Sequence, residues 1–388
     1  MRHDTPKLTD QDVLVQARTR LREHLPLHAD GSVCTTDDLL NVLLGVAVNQ
    51  GTIEAVCADL HGTPNPETLR RYLNSQLRPE DLPRLEECLN AALADDIPRR
   101  VWTDAHDVAI DLHDRPYYGT SPQTEGLWVR GEAQAGTTYF YRLATAYVLR
   151  NGLRVTLALH FVRPADDMVT IVDHLLQRIA GLGVRLKRLL LDKGFAGTPV
   201  LAYLSRRRQP TIIACPIRGK CGGTRALCHG QSSYRTRYTF NADSTEAFTA
   251  EVAVCRVMTT AKRRQRMERR ASWLVFILIE LDAPPQRVRR RYRRRFGIER
   301  SYRCAGRVRG WTTSRNPAYR FMLLGLSFVL LNVWVHLRWC FTQAPRRGRR
   351  WLLRQHFALT RFANFLRRAL ERHYGYAHEI AAPAPPRL

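Results

Sequence analysis

Past Val101 the hydrophobic period of this chain changes from helical to extended, and no other feature narrows the fold as much. "DVAIDLHD" (107–114) reads as a short strand. Residues 137–149 ("TTYFYRLATAYVL") and 153–162 ("LRVTLALHFV") are rich in β-branched and aromatic side chains, and Asn151-Gly152 between them is a hairpin signal. "DDMVTIVDHLLQRIAGLG" has the spacing of a helix ending at glycine. "VRLKRLLLDKGF" reads as a strand ending in Asp192, with a helix after it at about 198–207. Strand, strand, strand, helix, strand, helix predicts an α/β layered domain, a mixed sheet flanked by helices.

The flanking segments differ. Residues 1–98 read as all-α. In "TTDDLLNVLLGVAVNQ" Thr35 or Thr36 is the N-cap of a helix with apolar positions at Leu39, Leu40, Leu43, Leu44 and Val46. "TIEAVCADL", the turn "HGTPNP" and "ETLRRYLNSQL" form a helix-turn-helix pattern that carries Arg70 and Arg71. The expected organisation is this helical segment, a first core part over 99–210, a β-rich insertion over 211–270, and a second core part over 271–345. A basic helical region over 346–388 then ends in a disordered tail, "IAAPAPPRL".

The charge points to a polyanion. Sixty-one Lys and Arg against 35 Asp and Glu leave +26 at pH 7, mostly as arginine, which suits bidentate phosphate contacts. "MRHDTPKLTD" has no apolar core and so is no secretory signal, and nine scattered cysteines suit a reducing cytoplasm. The spacing of Cys215, Cys221, Cys228 and His229 matches no common zinc knuckle. Residues 321–340 ("FMLLGLSFVLLNVWVHLRWC") are long enough to span a bilayer. Asn332 and His336 interrupt them and Arg320 and Arg338 bracket them, so they are read as a buried central helix. A basic membrane protein is the rival that rests on this run alone.

Within "YRRRFGIERSYR" (292–303), Glu299 is the only acid between Arg287 and Arg309, a stretch with eleven arginines. It is either an ion-pair residue on a solvated helix face or a metal-binding carboxylate facing a polyanion. Asp111 continues the apolar run "VAI" and is preferred over Asp104, Asp107 and Asp114, the last of which reads as a turn residue. If the strands ending in Asp111 and Asp192 are neighbours and the arginine helix packs at that edge, three carboxylates meet. They would repel one another unless hard divalent cations bind between them. Two such ions support in-line phosphoryl transfer.

"AIDLHDRPYYG", "LLLDKGF" and "YRRRFGIERSYR", with "TTSRNPAYRF" and "LLNVWVHLRW", resemble the DDE transposases of bacterial and archaeal insertion sequences, in the group with a β-rich insertion before the glutamate. The resemblance covers about residues 100–340, and its most specific part is the spacing of Tyr292, Arg295 and Glu299. It implies an RNase H-like core, with Asp111, Asp192 and Glu299 holding two Mg²⁺ or Mn²⁺ ions. Tyr292 and Arg295 would position the helix and contact DNA near the cut. The family's lysine, seven residues past the glutamate, falls at Gly306, with Arg307 beside it as candidate substitute. Lys193, Arg295, Arg303 and Arg307, with Arg70 and Arg71, are the candidate DNA contacts.

The implied activity is cutting of double-stranded DNA at element ends and joining of the 3′-hydroxyl to target DNA. It implies a dimer in the DNA complex, no organic cofactor, no membrane, and a cytoplasmic, nucleoid-associated protein in a prokaryote. The alternatives are an RNase H-like nuclease or resolvase that cuts without joining, and a non-catalytic DNA-binding descendant of a transposase.

Overall fold

The structure is a computed structural model and describes residues 7–119, 126–263, 266–346 and 349–379. The tail expected to be disordered, 380–388, lies outside the described residues.

Along the chain, α1 (Asp10–His24), α2 (Thr36–Asn49), α3 (Ile53–Asp59), α4 (Pro66–Gln76), α5 (Leu82–Ala94) and the single turn α6 (Arg100–Thr103) come first. Strands β1 (His106–Pro116), β2 (Val129–Gln134), β3 (Thr137–Val148) and β4 (Thr156–Val162) follow, then α7 (Met168–Gly181), β5 (Leu186–Leu191) and α8 (Thr198–Arg206). Next come β6 (Thr211–Cys215), β7 (Tyr234–Phe240), β8 (Phe248–Arg263), β9 (Arg266–Ile279), α9 (Pro285–Tyr292) and α10 (Phe296–Ala305). The chain closes with α11 (Pro317–Phe341), β10 (Gln343–Arg346), β11 (Arg349–Leu352) and α12 (Leu359–Tyr374).

These elements form two compact units. One comprises residues 1–98, 116–141 and 302–388, and the other 99–115 and 142–301.

The first unit is mainly helical. Thr35 is the N-cap of α2: its hydroxyl accepts from the Asp38 backbone N–H at 3.2 Å and Asp38 accepts from the Thr35 N–H at 3.0 Å, a reciprocal capping box. From Leu39 to Val48 every residue of α2 is buried. The apolar run read as a central helix is α11, and 83% of its most apolar window is buried within the protein. That window is long and apolar enough to cross a membrane. Its Asn332 instead donates to the Leu93 carbonyl at the end of α5 at 2.9 Å. Tyr374 of α12 donates to Asp38 at 2.7 Å and accepts from Asn41 at 3.2 Å, tying the last helix to α2.

The second unit carries a mixed sheet in the order β3-β1-β5-β6-β9-β8-β7, with β4 on the far side of β3. β1–β5 and β5–β6 are parallel; β6–β9, β9–β8 and β8–β7 are antiparallel. Val108, Ala109 and Ile110 of β1 and Leu189 to Leu191 of β5 are 0% exposed. Each such buried Val, Leu or Ile contributes roughly 1.5–3 kcal/mol, which strongly specifies this central pair. Gly152, at φ +88°, makes the turn between β3 and β4.

Three local readings differ. The strand read as 107–114 runs on to Pro116, and Asp114 is no turn residue: Arg142 of β3 grips it with two bonds of 2.7 and 2.8 Å. β2, in "VRGEAQ", carries too little apolar alternation to be legible and pairs with the start of β3. "PTIIACPI" supplies β6, which pairs parallel with β5, and the β-rich stretch after it continues the same sheet.

Candidate active site

The second unit brings Asp111, Asp192 and Glu299 around one guanidinium. Parallel pairing of Ile110 with Leu191 sets the next residues, Asp111 and Asp192, side by side where the two strands end their pairing. Asp111 is 9% exposed and accepts the Leu112 N–H at 3.1 Å. Asp192 opens a tight turn in which its Oδ1 accepts the Gly194 N–H at 2.8 Å and Phe195, 0% exposed, plugs the core.

Glu299 lies in the first turn of α10, one helical turn beyond Arg295. The Arg295 guanidinium is buried: Nη2 lies 3.1 Å from Asp111 Oδ1 and 3.7 Å from Asp192 Oδ2, and Nη1 lies 3.2 Å from Glu299 Oε1. Its Nε is buried with no hydrogen-bond partner.

Burial pushes the Asp111 carboxyl up to about 6; Arg295 opposes the shift, and the like charges of Asp192 and Glu299 add to it. Burial works against the charge on Arg295 too, but Asp111, Tyr292, Asp192 and Glu299 outweigh it and hold that pKa above its ordinary value. Tyr292 is 8% exposed with its ring 4.8 Å from Phe276 of β9, and burial raises its hydroxyl pKa. It therefore anchors the start of this helical run to the sheet.

The donor set fits a hard divalent cation. All three acids offer oxygen, and one guanidinium faces three carboxylates, so the cluster remains anionic when all are ionised. The three acids do not form a group with ligand atoms all within 4.8 Å of one another. Arg295 holds the space between them.

The remaining site candidates disperse. Lys193 is exposed next to Asp192. Arg295, expected to contact DNA, is instead 6% exposed and occupied by carboxylates, because its position on the helix turns it toward β1 and β5. Arg70 is engaged by Glu54 and Glu67, whereas Arg71 is exposed. Arg303 and Arg307 are exposed and belong to the first unit.

Asp107, set aside in the sequence in favour of Asp111, is a further buried acid on β1. Asp107, its side chain 5% exposed, lies 2.8 Å from Arg188 of β5 and 3.5 Å from Arg294. The signal was present in the strand period: 107 and 111 are an even number apart and share a face of β1.

The Transposase DDE domain family matches residues 97–333, a span that contains all three acids. Among solved structures, the fold is similar to that of a piggyBac transposase in a synaptic complex with hairpin DNA. The TM-score is 0.56 at 10% sequence identity, over 94% of this chain and 77% of that one. No curated protein sequence matches the chain. With the family match spanning more than half of its length, the chain belongs to the DDE transposase domain family.

Proposed function

We propose that this protein is the transposase of an insertion sequence of the bacterial or archaeal kind, which binds the element's ends, cuts there, and joins the freed 3′-hydroxyls to target DNA. The observation that carries the reading is the convergence of Asp111, Asp192 and Glu299, from two parallel strands and a helix, on one buried cation. Asp111, Asp192 and Glu299 would hold two Mg²⁺ or Mn²⁺ ions, which when bound supply charge neutralisation at the scissile phosphate and a nucleophile at neutral pH.

The chain's own residues do the positioning. The β1–β5 pairing keeps Asp111 and Asp192 at fixed separation, and Tyr292 against Phe276 sets the depth of the helical run that presents Glu299. Arg295 keeps the three carboxylates oriented inward around its buried guanidinium. Lys193 is the proposed backbone contact beside Asp192, and Arg303 and Arg307, on the first unit, are proposed DNA contacts. The helix-turn-helix segment with Arg71, and Arg70 once released from its glutamates, reads the ends. Two ends must be brought together, so a dimer forms on DNA.

The test is metal-dependent cleavage and strand transfer on DNA carrying the ends of the element that encodes the protein, wild type against Glu299→Gln. Wild type is expected to cut and join with Mg²⁺ or Mn²⁺, and the variant to bind DNA and do neither. A variant that cuts as well as wild type reduces Glu299 to the ion-pair partner of Arg295. Cutting by wild type without joining favours the nuclease or resolvase alternative.

A further inference from the structure

On the second unit, β5 and α9 enclose a cavity of about 360 Å³ lined by Lys187, Arg188, Arg287, Arg290, Arg291 and Arg294. A second cavity of about 400 Å³ shares Lys187, Arg188 and Arg294 and adds Arg150, so the two form one groove. Among the described residues, Asp107 is the only acid lining either cavity, and Arg188 and Arg294 already use it. Among the described residues Arg287, Arg290 and Arg291 have no ion-pair partner.

Like charges this close repel. Burial, then Arg188 and Arg287, hold the Arg291 pKa below its ordinary value. Arginines on a solvated helix face would spread apart into water. Here they converge with two strand residues on a concave surface, an arrangement that gains from an anion.

We propose that this groove is a second, non-catalytic phosphate track that grips the backbone of duplex DNA beside the carboxylate site. The proposal takes its ligand class from the DNA-cutting reading and goes beyond it in naming the surface. Asp107 and Asp111 sit four residues apart on the same face of β1, so the track begins roughly 13 Å from the carboxylates. At 3.4 Å per nucleotide along the duplex, that is about four nucleotides away. Two joined cavities suit successive phosphates rather than one small anion, and arginine forks suit non-ester oxygens. No base-reading arrangement is implied, so the grip is indifferent to sequence.

The test uses full-length protein and a fluorescent duplex of arbitrary sequence, with affinity measured across a NaCl series. Arg287→Ala/Arg290→Ala removes two exposed side chains. Its plot of log K against log salt is expected to flatten by about 2, near 0.9 for each phosphate that is no longer neutralised, while Arg287→Lys/Arg290→Lys keeps most of the slope. An unchanged slope in a variant with wild-type melting overturns the proposal. So does a loss confined to tripolyphosphate binding, which would mark a small-anion site.

Should the double variant melt early, Arg287→Gln and Arg290→Gln singly carry the same measurement, each flattening the slope by about 0.9. The readout is binding, so it stands apart from the Glu299→Gln result. Failure of the carboxylate reading leaves the flattening of the slope in the arginine variants intact, and failure of the track leaves cleavage loss at Glu299 intact.

Discussion

Arg295 is the residue on which this site turns. Three carboxylates share its guanidinium, yet Asp111 is so enclosed that its carboxyl is raised from 3.8 to about 6, burial being the largest cause. A group whose folded pKa lies above its unfolded one contributes stability that is full below about 3.8 and lost as pH rises through about 6. The metal-free protein therefore pays for holding Asp111 ionised at neutral pH, by at most about 3 kcal/mol at 1.36 kcal/mol per unit. In EDTA, Asp111→Asn is expected to melt above wild type at pH 8, and the gain should shrink toward zero near pH 4. Thermal melts at the two pH values check this. A variant that melts lower at pH 8 would mean that Arg295 loses more from the missing charge than the fold gains from relieving it.

At the scale of elements, α11 illustrates how a helix can be legible while its neighbours are not. Its apolar length and its interruptions by Asn332 and His336 are in the sequence; its close approach to α5 is not. At Gly325 an added Cβ would fall 2.5 Å from Leu89 Cδ1 and 3.1 Å from Leu89 Cγ, and Leu89 is 0% exposed. The buried Leu89 side chain would have to shift within a packed core. Gly325→Ala is expected to destabilise by about 1–3 kcal/mol despite alanine's better helix propensity. Leu89→Ala leaves space at the same place, so the double variant should cost less than the two singles added together. Chemical denaturation of the four proteins measures the coupling, and strict additivity would show that the helices do not meet there. β6 and β2 make the complementary point. The short run "PTIIACPI", read as part of the insertion, joins the core sheet through its parallel pairing with β5, which its own residues do not specify.

Across the whole molecule, chain order and compactness part company. The last helix, α12, packs among the first ones: besides the Tyr374 bonds to Asp38 and Asn41, Arg367 donates to Asn49 at 2.6 Å and Gly62 donates to the Tyr374 carbonyl at 2.9 Å. Asn316, before α11, donates to the Leu77 carbonyl at 2.6 Å. The N-terminal helices thus bury their apolar faces against segments more than two hundred residues later. Residues 1–98 expressed alone are expected to show helical signal without a cooperative thermal transition, whereas the full chain melts cooperatively. A sharp transition in the fragment would mean that α1 to α5 possess a sufficient core of their own.

Read by itself, the sequence determined what is local: the change of period past Val101, the Thr35 cap, the turn at Gly152, and apolar runs ending in Asp111 and Asp192. These follow from side-chain spacing and turn chemistry that act over a few residues. Even the spacing of Tyr292, Arg295 and Glu299 is local, because one helical run carries it. Only the tertiary structure decided that β1 and β5 are neighbours, that Arg295 points inward at all three acids, and that Asp107 meets Arg188, 81 residues away. Pairing across such distances is chosen by which apolar faces can be buried together with their backbone hydrogen bonds made, a property of the whole sheet that no single segment carries. The meeting of the α9 arginines with Lys187 and Arg188 of β5 is likewise tertiary. It depended on which strand α9 came to rest beside.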